Sequence, residues 1–232
     1  MKYEIDNESP QKRKEYIKQL FNSIVPTYDL LNSFLSLKID SLSRSFALKK
    51  IKLEGLALDL CCGTGDMTHR IMKLKGKIVS IDFSYSMLQS GAGKKWLYSP
   101  INGDVTVLPF KKNTFDYAII AFGIRNIPDI DIFLKECNKV LKEKGELCII
   151  ELTRPTNFLI KPIYYFYLHL FLPFVGGIIS GKFSAYRYLA KTISTFLDVD
   201  VLSLKLQENG FKTVSVYKKT FGIAHVIIAE KG

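Results

Sequence analysis

The sequence predicts an α/β fold, a doubly wound seven-stranded sheet with helices on both faces. Three observations carry that reading. Apolar runs at 56–60, 77–82, 100–105, 115–122 and 145–151 are separated by helical stretches, the alternation of a parallel sheet. A glycine loop follows the first run, in Leu58-Asp-Leu-Cys-Cys-Gly-Thr-Gly-Asp66. Two last runs, 212–217 and 225–229, leave no room for a crossover helix and should form an antiparallel hairpin at the sheet edge. The expected sheet therefore has six parallel strands and one antiparallel C-terminal strand.

In chain order, residues 10–24 place Tyr16, Leu20, Phe21 and Ile24 at helical spacing. Pro26 breaks that helix, and a second short one runs through Leu35. The strand ending at Leu60 carries Asp59 near its end and opens into the loop. Gly63 and Gly65 can adopt backbone angles closed to other residues and let a ligand approach the main chain. From Asp66 onward the chain reads as a helix. The next strand ends in Asp82, and the third candidate strand end is Asn102-Gly-Asp104-Val105. The clearest later helix spans 131–142, with Gly145 as its expected terminator.

Before the hairpin lies an insertion without a charged residue, 162–181. About 20 apolar residues suffice to span a bilayer. Pro173, Gly176 and Gly177 are expected to break its second half, and His169 sits in its middle. An apolar cap over a greasy pocket fits better than a span, with plain core packing as the alternative. Together these pieces make one domain over 1–232, with 1–50 a helical extension and 155–200 the apolar helical cap.

The loop chooses between two ligands. Dinucleotide binding asks for G-x-G-x-x-G with a pyrophosphate on the helix N-terminus. Here Thr68 stands at the third glycine position, and Asp66 sets a carboxylate where the phosphate belongs. S-adenosylmethionine (SAM) has no phosphate and carries two cationic centres, which tolerate Asp59 and Asp66 nearby. Asp82, 17 residues after Gly65, can accept both ribose hydroxyls, and Asp104 can meet the adenine amine. Any one of these acids alone reads as an ordinary turn or cap; three at successive strand ends favour a nucleoside site.

Composition frames the rest. Apolar residues make up 47% of 232, enough for a sizeable core, and Met1–Asp6 contain no apolar leader. Four cysteines, with Cys61 and Cys62 adjacent, form neither a disulfide framework nor a zinc pattern and read as buried, reduced thiols. No His/Cys/Asp cluster has metal spacing, so no metal is expected. The net charge of +11 comes from 27 lysines and only six arginines. Base and phosphate readers favour arginine, so nucleic acid is not the expected partner. A lysine-rich surface suits anionic lipid headgroups or simple solubility. Of the histidines, His69 reads as a surface residue and His169 as a satisfied core residue, while His225 is a further candidate base.

At this point the chain resembles the ubiquinone/menaquinone biosynthesis C-methyltransferases, within the class I SAM-dependent methyltransferases. The likeness runs through Phe21-Asn-Ser-Ile-Val-Pro-Thr-Tyr28-Asp29-Leu-Leu-Asn32, the glycine loop, Leu108-Pro-Phe and Ala121-Phe-Gly-Ile-Arg125-Asn126. It continues through Val140-Leu-Lys-Glu-Lys-Gly145 and Tyr186-Arg-Tyr-Leu-Ala-Lys-Thr192-Ile193. Phe-Gly-Ile-Arg-Asn and Tyr-Arg-Tyr-Leu are the more specific of these motifs. The resemblance implies a Rossmann-like fold and places Thr64, Asp82, Asp104 and Val105 at the cofactor. A serine common before Phe-Gly-x-Arg-Asn is Ala121 here, and the usual Phe-Gly-x-x-Arg-x-Trp is Leu37-Lys-Ile-Asp-Ser41-Leu-Ser43.

The reaction so implied joins a methyl group to a ring carbon of a polyprenylated quinol. Demethylmenaquinol is favoured over a ubiquinone-pathway benzoquinol by the Cys-Cys-Gly-Thr form and the short chain. A phenol-like pKa near 10 leaves only about a thousandth of the quinol ionised at pH 7. Lowering it by about three units takes roughly 4 kcal/mol of selective anion stabilisation. Arg125, a permanent cation with directional donors, is the candidate for that role. Asn126 is expected to orient the ring oxygen and Tyr28 to position the ring or relay its proton. The implied setting is cytoplasmic and peripheral at the inner face of the membrane; a homodimer is compatible with the chain but not specified by it.

Two other classes compete. A SAM-dependent RNA methyltransferase acting on exocyclic nitrogens would carry Pro-Pro after the fourth strand, where Ala121-Phe-Gly stands, and no cysteine follows a proline as cytosine-C5 chemistry requires. A SAM-binding protein without chemistry is the third.

Overall fold

The computed structural model describes residues 9–232, so the reading of Met1–Asp6 lies outside the described residues. The apolar runs become strands β1 (Leu56–Leu60), β2 (Lys77–Asp82), β3 (Ile101–Asn102), β4 (Phe115–Ala121), β5 (Leu141–Leu152), β6 (Phe211–Lys219) and β7 (Ala224–Lys231). They form one sheet in the order β3-β2-β1-β4-β5-β7-β6. Pairings from β3 to β5 are parallel, and β7 runs antiparallel to both β5 and β6. The expected hairpin forms, with β7 inserted beside β5 and β6 left at the edge. Only β7 opposes the other strands, as the sequence predicts.

Central strands are covered on both faces, which is why they read as near-continuous apolar runs. One face packs on α6 (Ile130–Val140), where Phe133, Leu134 and Cys137 are fully buried against Leu58, Ile120 and Ile149. The other face packs Met67 and Ile71 of α4 (Asp66–Lys73) against Tyr117 and Ile119. A third core lies beyond the strand ends. There Ile17, Leu20 and Ile24 of α1 (Pro10–Ile24) and Leu31 and Leu35 of α2 (Tyr28–Leu35) meet Tyr164, Leu168 and Leu172 from the apolar insertion. Met87 of α5 (Tyr85–Gly93) and residues of α9 (Phe183–Thr195) complete it. Helices α3 (Ile39–Leu48) and α10 (Val199–Glu208) fill the remaining flanks.

Several local expectations are corrected. The third strand shrinks to two residues because Asp104 folds back to accept hydrogen bonds from the Thr106 backbone and hydroxyl. The helix expected over 131–142 ends at Val140, and Gly145 lies inside β5 rather than stopping the helix. Lys142 turns out of the ladder to bond Asp116 at 2.8 Å, and the register with β4 jumps between Phe115 and Tyr117.

The insertion also behaves differently. Helix α7 (Ile160–Phe166), a π turn (Tyr167–Phe171) and α8 (Leu172–Ser180) form one unbroken helix. The π turn widens the helix just before Pro173, relieving the clash of the ring with the preceding turn. Gly176 and Gly177 do not break it either: a Cβ there would lie 2.5 Å from the Tyr186 ring and 2.2 Å from the Phe183 ring. They let α8 press onto α9. This 21-residue helix is long and apolar enough to cross a membrane by composition, but Tyr164, Leu168 and Leu172 are buried in the third core. His169 is exposed rather than in the core, 3.0 Å from the Ser194 hydroxyl and stacked on Tyr165. Cys137 and Cys148 are buried thiols, whereas Cys61 and Cys62 are only half-buried at the glycine loop.

Candidate active site

The glycine loop is shaped by backbone demands. Gly65 caps α4 at φ 89°, and a Cβ on it would lie 2.6 Å from Leu97. Asp82 holds the loop from behind: its Oδ2 accepts from Gly63 N and its Oδ1 from Ser84 N, both at 2.8 Å. Asp59 accepts from the Thr68 hydroxyl at 2.6 Å. Burial pushes both carboxyls up to about 6, even though Thr68 and Arg44 pull Asp59 down and backbone N–H groups pull Asp82 down. Thr64 donates to Asp29 Oδ1 at 2.6 Å, and Asp29 also pairs with Lys94, so α2 is pinned to the loop.

Two cavities meet here. A polar one of about 230 Å³ is lined by Asp59, Gly63, Thr64 and Ala121 from the sequence-predicted set. An apolar one of about 320 Å³ is lined by Tyr28, Arg125 and Asn126 together with Tyr164, Tyr186 and Tyr188. Tyr28, Asn32, Asp40 and Arg44 line both and form the neck between them. Gly65, Asp82, Asp104 and Val105 line neither. Gly65 and Asp82 shape the loop, and Val105 is buried in the main core. Asp104 is held by Lys14 of α1 at 2.5 Å; burial raises its pKa, but Lys14 and Thr106 together bring it below the usual range.

The turn after β4 bends at Phe122, a non-glycine residue at φ 63°, and delivers Arg125 and Asn126 to the apolar cavity. Arg125 is no surface cation. Its guanidinium pairs with Glu151 of β5, and the two side chains are 7% and 2% exposed. Glu151 also accepts from the backbone N of Leu152 at 2.8 Å and of Arg125 at 3.3 Å. Burial raises the Glu151 pKa while Arg125 opposes that rise. Arg125 Nε is buried with no hydrogen-bond partner. Asn126 Oδ1 accepts from Tyr188 OH at 3.2 Å, so the two most specific motifs touch. Burial pushes the Tyr28 phenol up, opposed by Arg44, a hydrogen bond with Asn32, and Arg125.

Sequence reasoning missed Glu151, Asp29, Arg44 and Arg70. Glu151 gave the same signal as Asp59 and Asp82, an acid ending an apolar strand. The two arginines gave none, since their placement depends on how α3 meets α4. No histidine lines either cavity. His69 stacks on Trp96 and is half-buried; His225 lies 2.7 Å from the Thr153 hydroxyl, and burial lowers its pKa. Among the described residues no group of three or more His, Cys, Asp or Glu is placed to hold a metal ion.

A glycine loop after β1, an acid at the end of β2 and β7 reversed beside β5 define a SAM-dependent methyltransferase. The polar cavity is acidic, with Asp29, Asp40, Asp59 and Asp66 in its wall. Within that class the chain belongs to the ubiE/COQ5 methyltransferase family, whose model matches residues 9–231. It is 40% identical over 232 residues to the ubiquinone/menaquinone biosynthesis C-methyltransferase UbiE of Geobacter sp. (strain M21), covering 95% of this chain and 98% of that protein. The demethylmenaquinone methyltransferase of Thermotoga maritima is 39% identical over 226 residues, 94% of this chain and 97% of its own. Among solved structures, a SAM-dependent methyltransferase of Thermotoga maritima superposes with a TM-score of 0.67 at 20% identity, over 92% of this chain and 99% of that one.

Proposed function

We propose that this chain transfers a methyl group from SAM to a ring carbon of demethylmenaquinol while resting on the inner face of the membrane. The observation that carries the reading is the neck: an acidic cavity and an apolar cavity share Tyr28, Asn32, Asp40 and Arg44. The names borne by relatives on both sides of the quinone family support a quinol substrate. SAM supplies an electrophilic methyl group. Asp59, Gly63, Thr64 and Ala121 would line its amino-acid end; Asp82 and Asp104, which lie outside both cavity walls, are the candidates for the nucleoside end, with Gly65 and Val105 acting through the loop and the core.

The chain's own residues supply alignment and anion stabilisation. The tyrosine-rich apolar cavity holds the ring and excludes water, which strengthens every charge inside it. Arg125 faces the developing ring oxyanion, and Glu151 fixes the guanidinium while tempering its charge. Asn126, held by Tyr188, orients the ring oxygen, and Tyr28 at the neck positions the ring and relays its proton.

The membrane reading rests on the outer face of the insertion. Ile163, Phe166, Leu170, Phe174 and Ile178 are each more than half exposed, and Leu37 beside the apolar cavity is 72% exposed. Lysines supply 27 of the 33 basic residues, which suits anionic headgroups. Vesicles containing phosphatidylglycerol should carry the protein upward in a flotation gradient. A protein that stays behind and sediments as a dimer would assign the apolar face to self-association.

Incubation with labelled SAM and either a reduced demethylnaphthoquinol or a reduced benzoquinol tests the reaction. Label should enter the lipid extract with the naphthoquinol. Turnover on the benzoquinol alone would overturn the choice of ring, and label in neither would overturn the substrate class.

A further inference from the structure

The polar cavity sets a charge problem. Among its lining residues Asp29, Asp40, Asp59 and Asp66 carry negative charge, against Arg44 and Arg70. That excess suits the ammonium and sulfonium of SAM. It leaves the α-carboxylate of the same molecule only two cations within the cavity wall.

Arg70 is committed elsewhere. Its Nε donates to Asp66 Oδ1 at 2.8 Å, its Nη1 to Ser45 Oγ at 3.1 Å and its Nη2 to Ser41 Oγ at 3.0 Å. These bonds tie α4 to α3. Arg44, on α3, is different. Its Nε forms an ion pair with Asp66 Oδ2 at 3.2 Å without the alignment of a hydrogen bond, and that nitrogen is buried with no hydrogen-bond partner. Its guanidinium carbon lies 5.1 Å from the centroid of the Phe122 ring, a contact that fixes the plane but consumes no donor. The side chain is 14% exposed and lines both cavities. A buried fork of donors beside an acidic cavity is suited to bidentate carboxylate recognition.

We propose that Arg44 is the partner of the α-carboxylate of SAM, with Arg70 positioning the helix that carries it. The inference deepens the cofactor orientation proposed above and rests on it. Arg44 stands three residues after Ser41, on the same face of α3. Arg70 meanwhile bonds the Ser41 hydroxyl itself from the neighbouring helix. The two arginines thus divide the work, Arg44 facing the ligand and Arg70 bracing the scaffold.

Calorimetry with SAM and with decarboxylated SAM tests the proposal, because only the first offers a carboxylate. The wild type should prefer SAM by about 10–100-fold, the usual effect of a hydrogen bond to a charged group. Arg44→Met should abolish that preference by weakening SAM alone, leaving the decarboxylated analogue bound as before. Arg44→Lys should restore part of it, since an ammonium keeps the charge but not the fork. A preference that survives in Arg44→Met, with or without lost turnover, would overturn the assignment and move Arg44 to the quinol side. Equal weakening of both ligands in both variants would make Arg44 a structural residue only. A wild type that binds neither ligand would sink the cofactor orientation itself.

Discussion

The guanidinium of Arg125 and the carboxylate of Glu151 form an ion pair that is almost wholly removed from water, across the ends of two neighbouring strands. Breaking such a pair from one side strands a buried charge, which typically costs about 3–5 kcal/mol. A single substitution at Arg125 therefore mixes two effects, lost anion stabilisation and a weakened fold.

Pairing the substitutions separates those effects. Arg125→Ala should lower turnover by about 10²–10³, the usual loss for one oxyanion donor, and should also lower the melting temperature. Adding Glu151→Gln should recover the melting temperature and leave turnover low. Raising the pH should narrow the gap to wild type as bulk base ionises the quinol. Wild-type turnover in the double variant, measured with SAM saturating, would refute the role of Arg125.

Asp59 and Asp82 predict a pH signature. Both have folded pKa values raised from 3.8 to about 6, so the protonated forms favour the fold. Stability linked to them is present in full below pH 3.8 and is lost as pH rises through about 6, each costing about 3 kcal/mol at neutrality. A cationic ligand beside Asp59 and hydroxyl donors on Asp82 favour the ionised forms. SAM affinity should therefore rise between pH 5 and pH 7, with protons released near pH 6. Calorimetry in two buffers of different ionisation enthalpy reads that release; none, with a flat affinity, contradicts the assignment.

Asp82→Ala removes the acceptor of two backbone N–H groups, Gly63 and Ser84, each loss costing about 1–3 kcal/mol. It also removes a carboxylate whose raised pKa already balances burial against those same backbone bonds. The two unpaired N–H groups should lower the melting temperature at pH 7, while SAM binding weakens about tenfold or more. Unchanged affinity would remove Asp82 from the nucleoside site.

Tyr188→Phe deletes a hydroxyl that bonds both Asn126 and Arg13 and keeps the edge contact of the ring with Tyr16 at 5.9 Å. Asn126 loses its donor and becomes free to turn. Turnover should fall by about three- to tenfold, the worth of one ordinary hydrogen bond, with SAM affinity at the wild-type value. A drop in SAM affinity instead would tie Tyr188 to the closure of the cap.

What the sequence disclosed divides along a physical line. The glycine loop and the acids at 59 and 82 are local signals, written by backbone angles and strand ends, and their elements lie where they were expected, whereas Asp104 falls beyond a shortened β3. The end of α6 at Val140 was hidden because Lys142 finds Asp116 across the sheet. Pro173 failed to break its helix because a π turn and the rings of α9 accommodate it. Tyr28, Arg125 and Asn126 were found through a resemblance; nothing local says that Glu151 faces Arg125 or that Arg44 stands at the neck. Those are long-range pairings, and no spacing rule encodes them.

The third core joins Ile17, Leu20 and Ile24 to Tyr164, Leu168 and Leu172, residues separated by well over half the chain. During synthesis at about 5–20 residues per second, the first set leaves the ribosome on the order of 10 s before the second exists. For that interval the apolar stripe of α1 has, among the buried members of this cluster, only Leu31 and Leu35 of α2 and Met87 of α5 to rest on. The roof of the active site therefore closes only as a late event in translation.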